Sequence, residues 1–84
     1  MPEISRFYGL VIKMFFRGRE HNPPHFHVTY GSFVGIVDLD TLELTEGDLP
    51  PRAMAMVSEW AALHRGELMD IWNSQDFRRI DPLP

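Results

Sequence analysis

The chain has no cysteine among its 84 residues, which excludes disulfide bonds and thiolate metal sites. A domain of this length buries only about 60% of the surface that its unfolded chain exposes, so we expect marginal stability. Small domains often gain stability from disulfides, a metal or a partner. Because disulfides are excluded, a metal ion or a partner is the remaining source of additional stability. The absence of cysteine also agrees with a reducing compartment.

Long apolar runs and an excess of basic residues are missing as well. No segment approaches the roughly 20 apolar residues of a membrane span. The N-terminal segment MPEISRFYG has an acid at Glu3 and lacks the apolar region of a signal peptide. The net charge is −4, and residues 32–50 carry five acids and no base. We therefore predict a cytoplasmic protein that binds no membrane and does not bind nucleic acid directly with high affinity.

The hydrophobic pattern predicts strands in the first half of the chain. Residues 7–16, FYGLVIKMFF, are dense in aromatic and β-branched side chains and predict the first strand. The alternating residues 25–30, HFHVTY, predict the second strand. Residues 31–32, Gly-Ser, predict a hairpin turn into a third strand over 33–39. A short fourth strand is a candidate at 42–45.

A periodic apolar stripe predicts one long helix over residues 48–73. At 100° per residue, six side chains share the stripe: Ala53, Val57, Trp60, His64, Leu68 and Ile71. Pro50 and Pro51 suit a first helical turn, where the N–H that proline lacks has no helical partner.

Strands that come before a helix, rather than alternating with helices, predict an α+β fold of two layers. We expect an antiparallel sheet of three to four strands, formed by a β meander over 1–47, to pack against the one long C-terminal amphipathic helix over 48–73. Residues 74–84 form a tail that either adds an edge strand at 77–80 or trails. The whole chain, 1–84, is predicted to be a single domain.

The segment HNPPHFH, residues 21–27, holds three of the four histidines. Histidine is a common metal ligand and the usual general acid–base group near neutral pH. His25 and His27 are two residues apart on a predicted strand, so their side chains point to the same side. With His21 at the mouth of that strand, they are candidate ligands for zinc or another transition metal.

The same two histidines also suit catalysis, and they have a purely structural explanation. As a general acid–base pair, His25 and His27 would deprotonate a 2′-hydroxyl and protonate the leaving oxygen, as in metal-independent ribonucleases. Alternatively, neutral histidines hydrogen-bond across a sheet and Asn-Pro-Pro is only a rigid turn. His64 lies on the apolar stripe beside Trp60, so we expect a core residue with a satisfied hydrogen bond rather than a ligand.

The sheet face opposite the helix is a candidate surface for binding a partner. We expect the helix to cover the face that carries Phe26 and Val28, which leaves the other face exposed. The candidate side chains on that outer face are Phe7, Val11, Phe15, His25 and His27. An exposed apolar patch with polar edges is typical of a binding surface. A homodimer or a small protein partner would cover it.

Four segments of the chain together resemble a small bacterial family of unknown function, number four-one-six-zero in the domain-of-unknown-function series. They are MPEISRFYG, HNPPHFHV, the DTLEL–EG–LP–R segment and the helical EWAALHRGELMDIW. The most specific is HNPPHFHV, residues 21–28. The resemblance implies no established activity. Members are often encoded beside another small protein, in an arrangement similar to a toxin–antitoxin module.

The resemblance and the exposed face together predict a protein-interaction component of a toxin–antitoxin-like two-gene module, with its partner encoded nearby. This function requires no cofactor. The alternative is a His-dependent ribonuclease, or a metal-binding toxin that holds zinc or another transition metal in the HNPPHFH segment. The sequence leaves open whether the chain is an enzyme.

Overall fold

A computed structural model describes residues 2–15 and 23–84 of the chain. Within them, five strands form one antiparallel sheet whose spatial order, β1-β2-β3-β4-β5, is also the chain order. The strands are β1 (Glu3–Phe7), β2 (Leu10–Lys13), β3 (His25–Tyr30), β4 (Phe33–Asp38) and β5 (Leu44–Gly47). The helices that follow are α1 (Pro51–Leu63) and α2 (Arg65–Ser74). The fold is α+β, as predicted, but it has more strands and more helices than the sequence pattern indicates.

The first predicted strand is in fact two strands joined by a tight turn. A continuous strand over 7–16 is wrong because Tyr8 and Gly9 form a two-residue hairpin turn, across which Phe7 pairs with Leu10. Both turn residues have positive φ, +48° at Tyr8 and +83° at Gly9. Positive φ at both central residues is the signature of a type I′ hairpin turn.

The candidate fourth strand is present, two residues later than predicted. Its delay follows from the turn after β4, in which the Asp38 carboxylate accepts the backbone N–H of Asp40 at 2.7 Å and of Thr41 at 3.0 Å. A side chain that satisfies these two N–H groups holds the chain in a turn rather than in a ladder. Pairing with β4 resumes in the ladder that joins Val37 to Leu44.

The predicted long helix is interrupted at one residue, His64. Its backbone angles, φ −119° and ψ 21°, leave the helical region and separate α1 from α2. Hydrogen bonds nevertheless continue on both sides, because the His64 N–H donates to the Trp60 carbonyl at 3.1 Å and the Leu68 N–H donates to the His64 carbonyl at 2.9 Å. The apolar stripe therefore continues from α1 into α2, and the sequence pattern alone predicts a single helix.

Trp60 is fully buried at the centre of the core between the helices and the sheet. Its ring centre lies 5.4 Å from that of Phe7 and 6.0 Å from that of Phe26. Phe7 is only 6% exposed, so its predicted place on the outer face is wrong. The physical reason is the Tyr8–Gly9 turn, since Phe7 pairs with the buried Leu10 and points to the same side.

The tail adopts neither of its two predicted arrangements, because it is held against the core without adding an edge strand. Its backbone contacts β1 where the Ile80 N–H donates to the Ile4 carbonyl at 2.8 Å. The Trp60 indole N–H donates to the Asp81 carbonyl, also at 2.8 Å. Residues 77–80 therefore pack beside the sheet edge without joining the ladder.

A substitution at Gly47 of β5 tests how closely the edge of the sheet is packed. Its φ is +79°, and a Cβ there would lie 2.1 Å from the Val34 carbonyl oxygen. We expect Gly47→Ala to lower the free energy of unfolding by more than about 1 kcal/mol. Gly66→Ala in α2 is the matched control, because nothing lies within 4 Å of the added methyl group. It should leave stability unchanged or raise it by up to about 1 kcal/mol. Urea unfolding curves measure both, and equal effects would contradict this packing.

Candidate functional site

Two rows of paired residues cross the outer face of the sheet, the face opposite the helices. The first row consists of Lys13, His27, Ile36 and Glu46. The second consists of Val11, Thr29 and Val34. The buried residues of α1 and α2 belong to the core on the other side, so neither helix covers these rows. Val34 is 55% exposed as a result.

His27 lies near the middle of this face and is partly buried by its neighbours. Its ring centre is 4.2 Å from that of Phe15 and 5.3 Å from that of His25. Val11 and Phe15 are also partly buried, at the positions that the sequence predicts for the outer face. Of the five predicted side chains, only Phe7 belongs to the core.

His25 lies at the end of the sheet, where it pairs with Asp38. Its ring also contacts α2, with 5.1 Å between the ring centres of His25 and Trp72. The His25 Nδ1 is 2.9 Å from the Pro23 carbonyl oxygen. A carbonyl oxygen only accepts hydrogen bonds, so Nδ1 carries the hydrogen and Nε2 of the neutral ring keeps its lone pair. The Pro23 carbonyl therefore sets the tautomer of His25.

A groove of about 270 Å³ opens beside His25. Its lining residues are Pro23, His25, Ile36, Asp38, Thr45 and Glu46. The groove combines an imidazole and two carboxylates with an apolar floor, and it lies where β3, β4 and β5 run side by side.

Asp38 and Glu46 were not predicted at this site, although the sequence holds one signal for Asp38. The Gly31-Ser32 turn fixes the β3–β4 register because Tyr30 pairs with Phe33 across it. Counting back along both strands pairs His25 with Asp38. For Glu46 there was no such signal, because a register shift interrupts the β4–β5 ladder after Ile36.

Burial and a neighbouring imidazole determine the protonation of His27. Its partial burial holds the pKa below the ordinary value of 6.5, and the charge of His25 lowers that pKa further. The Glu46 carboxylate acts in the opposite direction but does not cancel them. His27 is therefore predominantly neutral at neutral pH, with one ring nitrogen able to accept a proton or bind a metal.

Of the other two histidines, only His64 lies among the described residues. His21, the third candidate metal ligand, lies outside the described residues. Within residues 2–15 and 23–84, no group of three or more His, Asp or Glu side chains is arranged to hold a metal ion. His64 lies beside Trp60 and pairs through Nδ1 with the Glu67 carboxylate at 2.8 Å. The hydrogen bond expected of His64 is present, but the residue is only partly buried and does not belong to the core.

The two edges of the sheet carry opposite charge. At the β1 edge, Glu3 forms salt bridges with both Arg6 and Arg79. The hydrogen bond from Arg6, and next the one from Arg79, hold the pKa of Glu3 below its usual range. Lys13 on the adjacent strand adds a further positive charge. At the β5 edge, Glu46 and its acidic neighbours form no salt bridge with any residue that the structure describes.

These features define the class of protein: an α+β domain with a five-stranded antiparallel sheet that is packed by helices on one face only. The chain belongs to the family described as domain of unknown function (DUF4160), whose model matches residues 9–73. This match confirms the family that the sequence motifs indicate, and its range includes both His25 and His27. Comparisons with curated proteins and with solved structures give no significant match. No helix in the described ranges is long and apolar enough to cross a membrane.

The environment of His27 predicts a pH dependence. NMR titration of its ring protons should give a midpoint below 6.5, because burial and His25 both disfavour the charged ring. Between pH 6.5 and that midpoint the unfolded chain binds a proton at His27 that the folded chain does not. The free energy of unfolding should therefore fall as pH drops from 6.5 towards the folded-state pKa.

The variant His25→Asn, which removes the neighbouring charge, should raise the midpoint of His27. His64→Asn is its control, because His64 lies on the helices and should not affect the titration. A midpoint at or above the ordinary value in the unaltered chain would contradict the described burial of His27.

Proposed function

We propose that the protein is the interaction component of a bacterial two-gene module, and that it binds a small partner protein through the outer face of its sheet. The observation that carries this proposal is an apolar surface left open on one face of a sheet whose other face is covered by the helices. Val34 is 55% exposed, and Val11 and Ile36 are partly exposed. A solvent-facing sheet side normally alternates to polar residues, so apolar side chains at these positions favour a binding role.

The charges around the apolar surface predict the complementary charges of the partner's binding surface. Arg6 and Lys13 lie on the β1–β2 side of the face, and Glu46 lies on the β5 side. A complementary surface is therefore apolar at its centre, acidic where it meets β1 and β2, and basic where it meets β5. Such complementarity mainly sets the orientation of a complex and the rate of its formation.

Family membership supports a different protein as the occupant rather than a second copy of the chain. The family resemblance implies a neighbouring gene for another small protein, and two-gene modules are typical of proteins that bind each other. A second copy is the competing occupant, because a two-fold axis parallel to the strands would also bring each positive edge over a negative one. The two occupants differ in their oligomeric state, which an experiment separates.

Val34→Lys should abolish co-purification of the untagged chain with the tagged product of the adjacent gene. The reason is that a charge in the middle of the apolar surface would have to be buried without a partner on binding. Leu63→Lys is the matched control, because Leu63 is 63% exposed but lies at the end of α1, away from this face. Co-expression followed by affinity purification measures both, with circular dichroism to verify folding.

Two outcomes would contradict the proposal. If the unaltered chain does not co-purify with the adjacent gene product, the heterologous interaction is wrong. If the chain alone forms a dimer that Val34→Lys converts to a monomer, the surface belongs to a second copy. Size-exclusion chromatography with light scattering distinguishes the dimer from the complex.

General acid–base catalysis of RNA cleavage is a second candidate, favoured by one specific observation. The His25 Nδ1 is held by the Pro23 carbonyl, which leaves Nε2 as the basic nitrogen beside His27. Against it, Asp38 and Glu46 line the same groove and would repel a phosphate. Expression of the chain alone tests this candidate. Growth arrest and RNA cleavage that His25→Ala abolishes would support catalysis, and the absence of both effects would refute it.

A further inference from the structure

The rings of His25 and His27 lie at a separation that suits two imidazoles bound to one metal ion. Side chains two residues apart on a strand point the same way, and the ring centres of this pair are 5.3 Å apart. Two imidazoles bound to one tetrahedral zinc ion, with zinc–nitrogen bonds of about 2.0–2.1 Å, have ring centres roughly 5 Å apart. The separation of the two rings therefore matches that of two ligands on a single ion.

The surroundings of His25 fix its free nitrogen in the form that a metal requires. Nδ1 donates its hydrogen to the Pro23 carbonyl oxygen at 2.9 Å, so the lone pair is on Nε2. Histidine ligands in metal sites nearly always donate their other ring N–H to a carbonyl or carboxylate in this way. The contact with Trp72, 5.1 Å between ring centres, further restricts the orientation of the ring.

We propose that His25 and His27 form a two-nitrogen binding site for zinc, or for another divalent transition metal that prefers imidazole, with the Glu46 carboxylate as the third ligand. His25 and Glu46 line the groove, and His27 lies next to His25 on the same strand. The inference does not rest on the proposed interaction with a partner. Water completes the coordination, as in zinc sites that keep an open position. The chain has no cysteine, so imidazole and carboxylate groups determine which metal the site prefers. Magnesium and calcium prefer oxygen ligands and do not suit a site with two imidazole nitrogens.

Glu46, rather than Asp38, is the acid that is free to reach the ion. Both line the groove with His25, but Asp38 Oδ1 already accepts the N–H groups of Asp40 and Thr41. Glu46 is exposed and lies in the same row of paired residues as His27. Because no three such ligands are preassembled within residues 2–15 and 23–84, the Glu46 side chain turns towards the histidines when the ion binds.

Zinc titration of the untagged, metal-free chain tests the site, with zinc chloride alone as the probe. We expect native mass spectrometry to show one zinc ion per chain, and calorimetry to give the affinity. Replacing both ligands, in His25→Ala/His27→Ala, should reduce the affinity by on the order of 100-fold or more. Glu46→Gln should reduce it by about 10-fold. His64→Ala is the control and should bind zinc like the unaltered chain, because its Glu67 partner lies on α2.

A measurement on the unaltered chain keeps the test independent of whether the variants fold. Zinc should shift the ring NMR signals of His25 and His27 and leave those of His64 in place. The proposal is overturned if the chain binds no zinc, if the double variant binds it with unchanged affinity, or if zinc shifts the His64 signals but not those of the pair. Magnesium chloride at the same concentration should shift none of them.

Discussion

The burial of Trp60 is the interaction on which the rest of the structure depends. Its indole is packed by Phe7 from the first hairpin and by Phe26 from the central strand, and its N–H is satisfied by the Asp81 carbonyl. A buried indole needs both a large apolar surface and one acceptor, and here different parts of the chain supply them. Sheet, helix and tail are therefore held together at one residue. This suits a domain of this length, because a short chain buries little surface and has a small core.

Because Trp60 places the helices on one face of the sheet, it also determines which residues stay accessible. Phe26 and Val28 point towards the helices and are fully buried, so His27, in the alternate position, is directed to the other side. His25, at the end of the strand, also contacts Trp72 of α2. The same face holds the exposed Val34 and the acidic β5 edge. Partner binding and metal binding would thus use adjacent parts of one surface, and an ion at His25 and His27 would add positive charge where the surface is now acidic.

The candidate site could be predicted in part, and particular residues show where prediction fails. The alternation of HFHVTY correctly separates the histidines from the buried Phe26 and Val28. Phe7 was assigned to the wrong face because a tyrosine with positive φ is an uncommon turn residue, so the Tyr8–Gly9 hairpin resembles a continuous strand. The break at His64 was missed because hydrogen bonds and the apolar stripe both continue past it.

The sequence by itself determined the α+β class, the family, the covered face of β3 and the apolar stripe of the helices, because periodic side-chain patterns and motifs are local properties of the chain. Only the tertiary structure decided that Trp72 contacts His25 and that Glu46 shares its groove. These contacts join residues that are far apart in sequence, and their geometry depends on turns and on a register shift in the sheet. A change of one residue in such a register moves every later side chain to the opposite face, which local patterns do not specify across a bulge.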